Sequence, residues 1–352
     1  MEKVRIGVIG LGIMGELYVK IYAAHPLAQM TAVCSRRQSR VDEIQKRYGV
    51  EAGYTDHRKM LERQDLDAVV IATPDSHHFV AARDVLESGK HAFVEKPFTT
   101  SLKEADTLLD IAQRKNLKIQ VAFNHRWLSP YQQAKVAIAQ GEIGEPLAGY
   151  ARKNDTIFVA TDYINWAGQT TPAWFLSSHD IDLMRWFFDS EPIEARAWGR
   201  KSVLAARGIP TYDIIQSQVK FASGAFATFE SAWVYPNTFP SIVDSFVEVI
   251  GGAGHVHMDR KNESMEMSTN KKFSFPKGFL NLEIFGRMRG AFPSCLEDFL
   301  YAILNDTTPH VTGMDGRQVT ATLEAIHKSL ESGNTEPVSQ PAQSHLVSDA
   351  RP

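Results

Sequence analysis

Residues 91–100, His-Ala-Phe-Val-Glu-Lys-Pro-Phe-Thr-Thr, set a glutamate beside a lysine at the mouth of a short apolar run, with a proline immediately behind them. Side by side on a surface, Glu95 and Lys96 would be an ordinary ion pair. At the edge of a binding cleft, the same amine can take a proton from a hydroxyl and return it. A second pattern decides which chemistry to look for. Gly10-x-Gly12-x-x-Gly15 follows the β-branched run Val4–Ile9 and leads into apolar residues at helical spacing, Leu17, Ile21 and Ala24. Strand, glycine turn and helix in this order suit a dinucleotide. Gly10 permits the tight turn, Gly12 the approach of a diphosphate, and Gly15 the packing of helix on strand. Ile13 and Met14 lie in the same turn.

These groups need a sheet to carry them. The next apolar run, "MTAVCSRR", ends where an adenosine ribose would lie, and an acidic residue there would hold the 2′-hydroxyl of NAD. Ser35, Arg36 and Arg37 stand there instead, with Arg40 a helical turn on. Guanidinium groups match a 2′-phosphate, which favours NADP(H), with NAD(H) as the alternative and a solvated basic helix start as the bland one. Further strands are expected at Ala68–Ala72, His91–Val94 and Ile119–Phe123, with a helix from about Ser76 to Ser88 between the first two. Thr73-Pro74 stops the first at its carboxyl edge, on the cofactor side, and polar residues gather at the strand ends: Thr73, Asp75, His77 and His78, then Glu95 and Lys96, then Asn124, His125 and Arg126. Alternation of this length predicts a doubly wound parallel sheet whose carboxyl edge is the rim of the site.

Later the pattern changes. "QSQVKFASGAFATFESAWVY" alternates around Ser223-Gly224 and "DSFVEVIGGAGHVHMD" repeats that reading, so an antiparallel sheet is expected. "AFPSCLEDFLYAIL" and "GMDGRQVTATLEAIHKSL" read as closing amphipathic helices, the second with Asp315 near its start. The division expected is 1–124 for the dinucleotide domain, 125–336 for an α/β substrate and oligomerisation domain, and a mobile polar tail over 337–352.

Composition narrows the partners. In 352 residues, 38 Lys and Arg stand against 41 Asp and Glu, with no basic block, so nucleic acid and anionic membrane surfaces are poor partners. Cys34 and Cys295 give neither a disulfide framework nor ligand spacing, and the twelve histidines form no metal cluster, so no metal is expected. The N-terminal apolar stretch is short, glycine-rich and without a cleavage signal, and nothing reaches the length of a membrane span; a cytoplasmic protein is expected.

In order along the chain, the glycine turn, "ATPDSHH", "VEKPF", "FNHRWLSPYQQAKVAIAQGEIGEPLAG", "SSHDIDLMRWFF" and "TGMDGRQVTATLEAIHKS" resemble the Gfo/Idh/MocA oxidoreductases. The resemblance implies a Rossmann domain and an α/β domain with an open, largely antiparallel sheet that often makes subunit contacts, hence a homo-oligomer, dimer or tetramer. It implies oxidation or reduction of a hydroxyl carbon on a sugar, cyclitol or related alcohol, with Lys96 catalytic, Glu95 by the cofactor and Lys96–Pro97 cis. His179 matches the histidine that relatives place against the substrate hydroxyl; its plainer role is a structural hydrogen bond at a helix start. An aspartate four residues before that histidine is usual in the family, and here the position is Phe175. Asp180, Asp155 and Asp162 are the candidates to replace it. Asp182 and Trp186 are expected to dock the helix. Arg126, Asp155, Tyr163, Trp166 and Trp174 are candidate substrate contacts, since aromatic faces stack on sugar C–H faces. For Trp166 and Trp174 a subunit interface is the equal alternative. Two other readings fit the same fold: a reductase of an imine, enone or dihydrodiol, and a non-catalytic dinucleotide-binding sensor.

Overall fold

The computed structural model describes residues 2–342. Its chain forms two compact units, one of residues up to Asn124 together with Asn281–Arg317, the other of His125–Leu280 and residues from Gln318 on.

In the first unit, β1 (Val4–Ile9) buries all but Arg5, as a strand covered on both faces must. There follow α1 (Ile13–Ala23), β2 (Ala28–Cys34), α2 (Gln38–Tyr48), β3 (Ala52–Tyr54), α3 (His57–Leu61), β4 (Ala68–Ile71), α4 (His78–Glu87), β5 (His91–Val94), α5 (Leu102–Lys115) and β6 (Ile119–Val121). The sheet order is β3-β2-β1-β4-β5-β6, and its pairings are parallel. Register does the positioning. Ile9 pairs with Cys34 and with Ile71, Ile71 with Val94, and Val94 with Val121. The next residues, Gly10, Ser35, Ala72, Glu95 and Ala122, therefore leave the sheet along one row. Strands β4 and β6 stop earlier than the apolar runs suggest, at Ile71 and Val121 and not at Ala72 and Phe123. β6 ends at Val121 because the amides of Phe123 and Asn124 turn back to Val121 O and Ala122 O. Likewise α4 starts at His78, since residues 75–77 form a 3₁₀ turn.

The second unit runs α6 (Ser129–Ala139), β7 (Pro146–Thr156), α7 (Ser178–Phe188), β8 (Pro192–Arg200), β9 (Ile214–Phe221), β10 (Phe226–Tyr235), β11 (Val243–Gly251) and β12 (His255–Asp259), then the small hairpin β13 (Met267–Ser268) and β14 (Phe273–Ser274). The hairpin β15 (Leu282–Ile284) and β16 (Arg287–Arg289) and α8 (Ala291–Leu304) return to the first unit, and α9 (Gly313–Ser332) and β17 (Glu336–Pro337) close the described chain. The sheet order is β12-β11-β7-β10-β9-β8-β17, antiparallel except for β7 with β10. The hairpins expected around Ser223-Gly224 and at the 243–259 run are both present. Strand β9 alternates strictly, with Ile215, Ser217, Val219 and Phe221 buried and Gln216, Gln218 and Lys220 exposed, so one face of the sheet is covered and the other open.

The covering element is α7, which buries every residue but Trp186. It lies so close to β7 that a Cβ at Gly149 would fall 2.6 Å from Met184 Sδ. A helix buried all round cannot leave Asp180, Asp182 or Arg185 to water, so each needs a partner. Of the polar tail, β17 pairs with β8 and Val338 donates to Ile193 O, while residues 343–352 of the segment expected to be mobile lie outside the described residues. Among the described residues no helix is long and apolar enough to cross a membrane.

Candidate active site

The glycine turn fits a diphosphate. Gly10 has φ +93°, and a Cβ there would meet Ala72 O at 2.4 Å; a Cβ on Gly15 would meet Gly10 O at 1.7 Å. Around Gly12 the space is open, and this N-cap gives α1 no side-chain cap. Uncapped first-turn N–H groups facing open space are what an anion needs. Ile13 stands 57% exposed at the lip, beside half-buried Met14.

At the end of β2, Ser35 is half-buried and Arg36 and Arg37 are exposed. Arg40 is not in their set. Its guanidinium donates to Leu11 O at 2.9 Å, to Glu43 at 2.7 Å and to Glu16, so it braces the glycine loop instead of extending toward a ribose phosphate. His78, expected among the cofactor contacts, is 1% exposed, and its ring nitrogens lie 2.7 Å from Pro97 O and 2.9 Å from Thr73 O. It ties two strand-end loops together. Asp75 is buried in the 3₁₀ turn behind Pro74. Thr73 Oγ1 and Asn124 Oδ1 are buried with no hydrogen-bond partner among the described residues. Orphaned oxygens at strand ends are places for a ligand.

Glu95 is 7% exposed, with one carboxylate oxygen accepting from Tyr18 OH and the other from Lys96 N at 2.9 Å. Burial, and after it the Glu95 charge, pushes the Tyr18 phenol well above its usual range, so it stays a donor. The carboxylate thus joins α1, which carries the glycine turn, to the step that carries Lys96. The Lys96–Pro97 bond is cis, as expected. Phe93 lies edge-on to Tyr18 and to Phe299 of α8, each at 5.7 Å, and packs that clamp from below.

In the second unit, the Arg126 guanidinium, a candidate substrate contact, is engaged within the protein. It makes a two-point bond with Asp182, 2.9 and 2.6 Å, and lies 5.8 Å over the Trp186 ring. Docking of α7 through Asp182 and Trp186 is therefore present, with Arg126 as the anchor. Asp155 is buried at the end of β7, and burial, then the Asp155 charge, raises the Tyr163 phenol. Trp166 and Phe175 pack on the apolar cluster around Val159, Leu176 and Trp233, where Phe175 meets Trp233 edge-on at 5.6 Å. Trp174 stacks on His327 at 5.3 Å and faces a cavity of about 250 Å³ with Thr171, Lys201 and Tyr212. Asp162 is taken by Thr161.

His179 lies in the first turn of α7, entered through a π turn over Ala173–Ser177. Its ring stacks on His125 at 4.1 Å, with the planes 11° apart. Lys153 reaches them from β7, its amine 2.6 Å from Asp180 Oδ1 and 3.4 Å from His125 Nδ1. Burial raises the Asp180 carboxyl while Lys153 pulls it down, and the net direction is up. The sequence reading missed Lys153 and Tyr18 and placed His125 at the rim of the site without a role of its own. A signal for Lys153 existed: it shares the buried face of β7 with Gly149, Ala151 and Asp155, at a position where a lysine demands a partner. Among the described residues no group of His, Cys, Asp and Glu could hold a metal ion.

Comparisons with known proteins agree with this frame. Residues 4–123 match the oxidoreductase family with an NAD-binding Rossmann fold, and residues 135–339 match that family's C-terminal α/β domain. A myo-inositol 2-dehydrogenase of Thermotoga maritima is 27% identical, over 93% of this chain and 96% of its own. An NAD(+)-dependent scyllo-inositol 2-dehydrogenase of Bacillus subtilis is 29% identical, over 89% of this chain and 90% of its own. The crystal structure of a Lactobacillus casei scyllo-inositol dehydrogenase with NAD(H) and scyllo-inositol has the same fold, with a TM-score of 0.84 at 24% identity over 96% of this chain and all of that one. With its two domain matches running in order through nearly the whole described chain, the protein belongs to the Gfo/Idh/MocA oxidoreductase family.

Proposed function

We propose that this chain is a nicotinamide-dependent dehydrogenase or ketoreductase acting on a hydroxyl or keto carbon of a sugar, sugar derivative or cyclitol. The observation that carries the reading is the row of strand ends, where an open glycine cradle and the Glu95–Lys96 step follow aligned residues of one parallel sheet. The inositol dehydrogenases among the relatives support the substrate class.

Gly10, Gly12 and Gly15, with the first-turn N–H groups of α1, would hold the diphosphate. Thr73 Oγ1 and Asn124 Oδ1 have hydrogen-bonding capacity to offer a cofactor. When bound, the nicotinamide accepts or gives the hydride. The Lys96 amine takes the hydroxyl proton on oxidation and returns it on reduction, with His179 sharing that proton. Glu95 stays out of the exchange and holds the Lys96 backbone. Asp155, Tyr163, Trp166 and Trp174 supply a carboxylate for sugar hydroxyls and aromatic faces for its C–H faces.

For the cofactor, we favour NADP(H) on the two exposed guanidiniums of Arg36 and Arg37 and the lack of an acid at 35–37; Arg40 adds nothing to that preference. For assembly we propose a homo-oligomer, supported by exposed Trp198, Phe226 and Ile250 on strands of the second sheet. Incubation with a panel of inositols and aldoses and each oxidised dinucleotide tests the function. Reduced nicotinamide should form with a polyol, more readily from NADP(+); none from any polyol with either cofactor contradicts the proposal.

A further inference from the structure

We propose that Lys153 is a positioning residue for the chemistry of His179: paired with Asp180, it sets the tautomer of His125, whose ring holds His179 in plane. The inference rests on the dehydrogenase reading above and gives His179 an orienting neighbour by a route that does not need a carboxylate at Phe175.

The side chains of Lys153 and Asp180 are 5% and 1% exposed, and their contact is 2.6 Å. Losing either ion would cost the other its close counter-charge in a buried place, so the ammonium stays where the carboxylate holds it. An ammonium has donors and no acceptor. With one N–H on Asp180 Oδ1, another is directed at His125 Nδ1, 3.4 Å away. That nitrogen must accept, and the hydrogen of a neutral His125 ring is therefore on Nε2. His125 in turn lies parallel to His179 at 4.1 Å, close enough that rotation of one ring is blocked by the other. Asp180 is fixed from the same turn of α7 as His179, so the chain closes on itself: α7 to β7, β7 to His125, and His125 back to α7. Phe175, where an acid would otherwise stand, is packed on Trp233 and supplies no hydrogen bond from its side chain.

The test reads the tautomer directly in the full chain labelled with ¹⁵N-histidine, by long-range ¹H–¹⁵N correlation. The wild-type protein should show His125 neutral with its hydrogen on Nε2; a hydrogen on Nδ1 overturns the proposal without any variant. The double variant Lys153→Met/Asp180→Leu removes both charges, so no ion is left buried alone. It should lose the single tautomer and reduce kcat for the polyol about 10–100-fold, with KM for the dinucleotide unchanged. Lys153→Arg keeps a donor-only cation and should keep the tautomer; loss of it there also overturns the proposal. A folded double variant with unchanged tautomer and unchanged kcat does the same. Absence of turnover with every polyol in the wild-type protein defeats the dehydrogenase reading instead, and leaves the tautomer measurement to decide this one.

Discussion

The two units hold their functional groups by different physics. In the first, a parallel register aligns strand ends, and the groups that follow are fixed mainly by backbone: Gly10 on Cys34 O, His78 between the carbonyls of Thr73 and Pro97, Glu95 on the amide of Lys96. In the second, a helix buried all round presents charges that must be met one by one from other elements, Asp182 by Arg126 and Asp180 by Lys153. A frame of backbone bonds tolerates many side chains. A frame of buried ion pairs is weakened when one member is changed, because the other charge stays buried without its close counter-ion.

Substitutions can sharpen or break that contrast. The largest effect is expected at Lys96, where chemistry and not the frame is removed. Lys96→Met should lower turnover about 1,000-fold while dinucleotide affinity, followed by titration, stays within a few-fold. In the second unit, Asp182→Ala takes the carboxylate from the buried Arg126 guanidinium and should cost about 3 kcal/mol of stability, read by denaturant unfolding; a loss below about 1 kcal/mol would place α7 among surface-paired helices. A smaller effect is expected in the first unit when Tyr18→Phe deletes one hydrogen bond to a carboxylate, about 2 kcal/mol. That variant should fold and bind cofactor, yet lose turnover through a looser Lys96; unchanged kcat would remove Tyr18 from the clamp. The smallest effect is at Asp67, where burial raises the carboxyl but the hydrogen bonds from Arg5 outweigh it and hold it below its ordinary range. A depressed carboxylate adds stability above the unfolded-state value, and that stability is lost as pH falls below about 4. The stability gap between wild type and Asp67→Asn should therefore close in that acid range and stay constant between pH 6 and 8, as flagged by the roughly neutral plateau of carboxylate linkage.

The same contrast explains what could be read in the sequence. Strand runs such as Val4–Ile9 and His91–Val94, the glycine turn and both hairpins are local patterns, and they stand where expected. The resemblance carried the cis bond at Lys96–Pro97. What a side chain bonds to is a long-range fact. Arg40 read as a phosphate ligand because its spacing allows it, but Glu16 and Glu43 had the prior claim. Arg126 read as a substrate contact, and its partner was 56 residues away. Lys153 drew no reading from the sequence; β7 turns it inward onto Asp180.

The proposed function requires hydride to pass from a polyol carbon to the nicotinamide, and isotope labelling follows that hydrogen. Wild-type protein given a cyclitol deuterated at its carbinol carbons and an oxidised dinucleotide should yield a reduced dinucleotide carrying one substrate deuterium, seen by mass spectrometry. A reduced dinucleotide without the label, or none formed with any polyol tried, would contradict it.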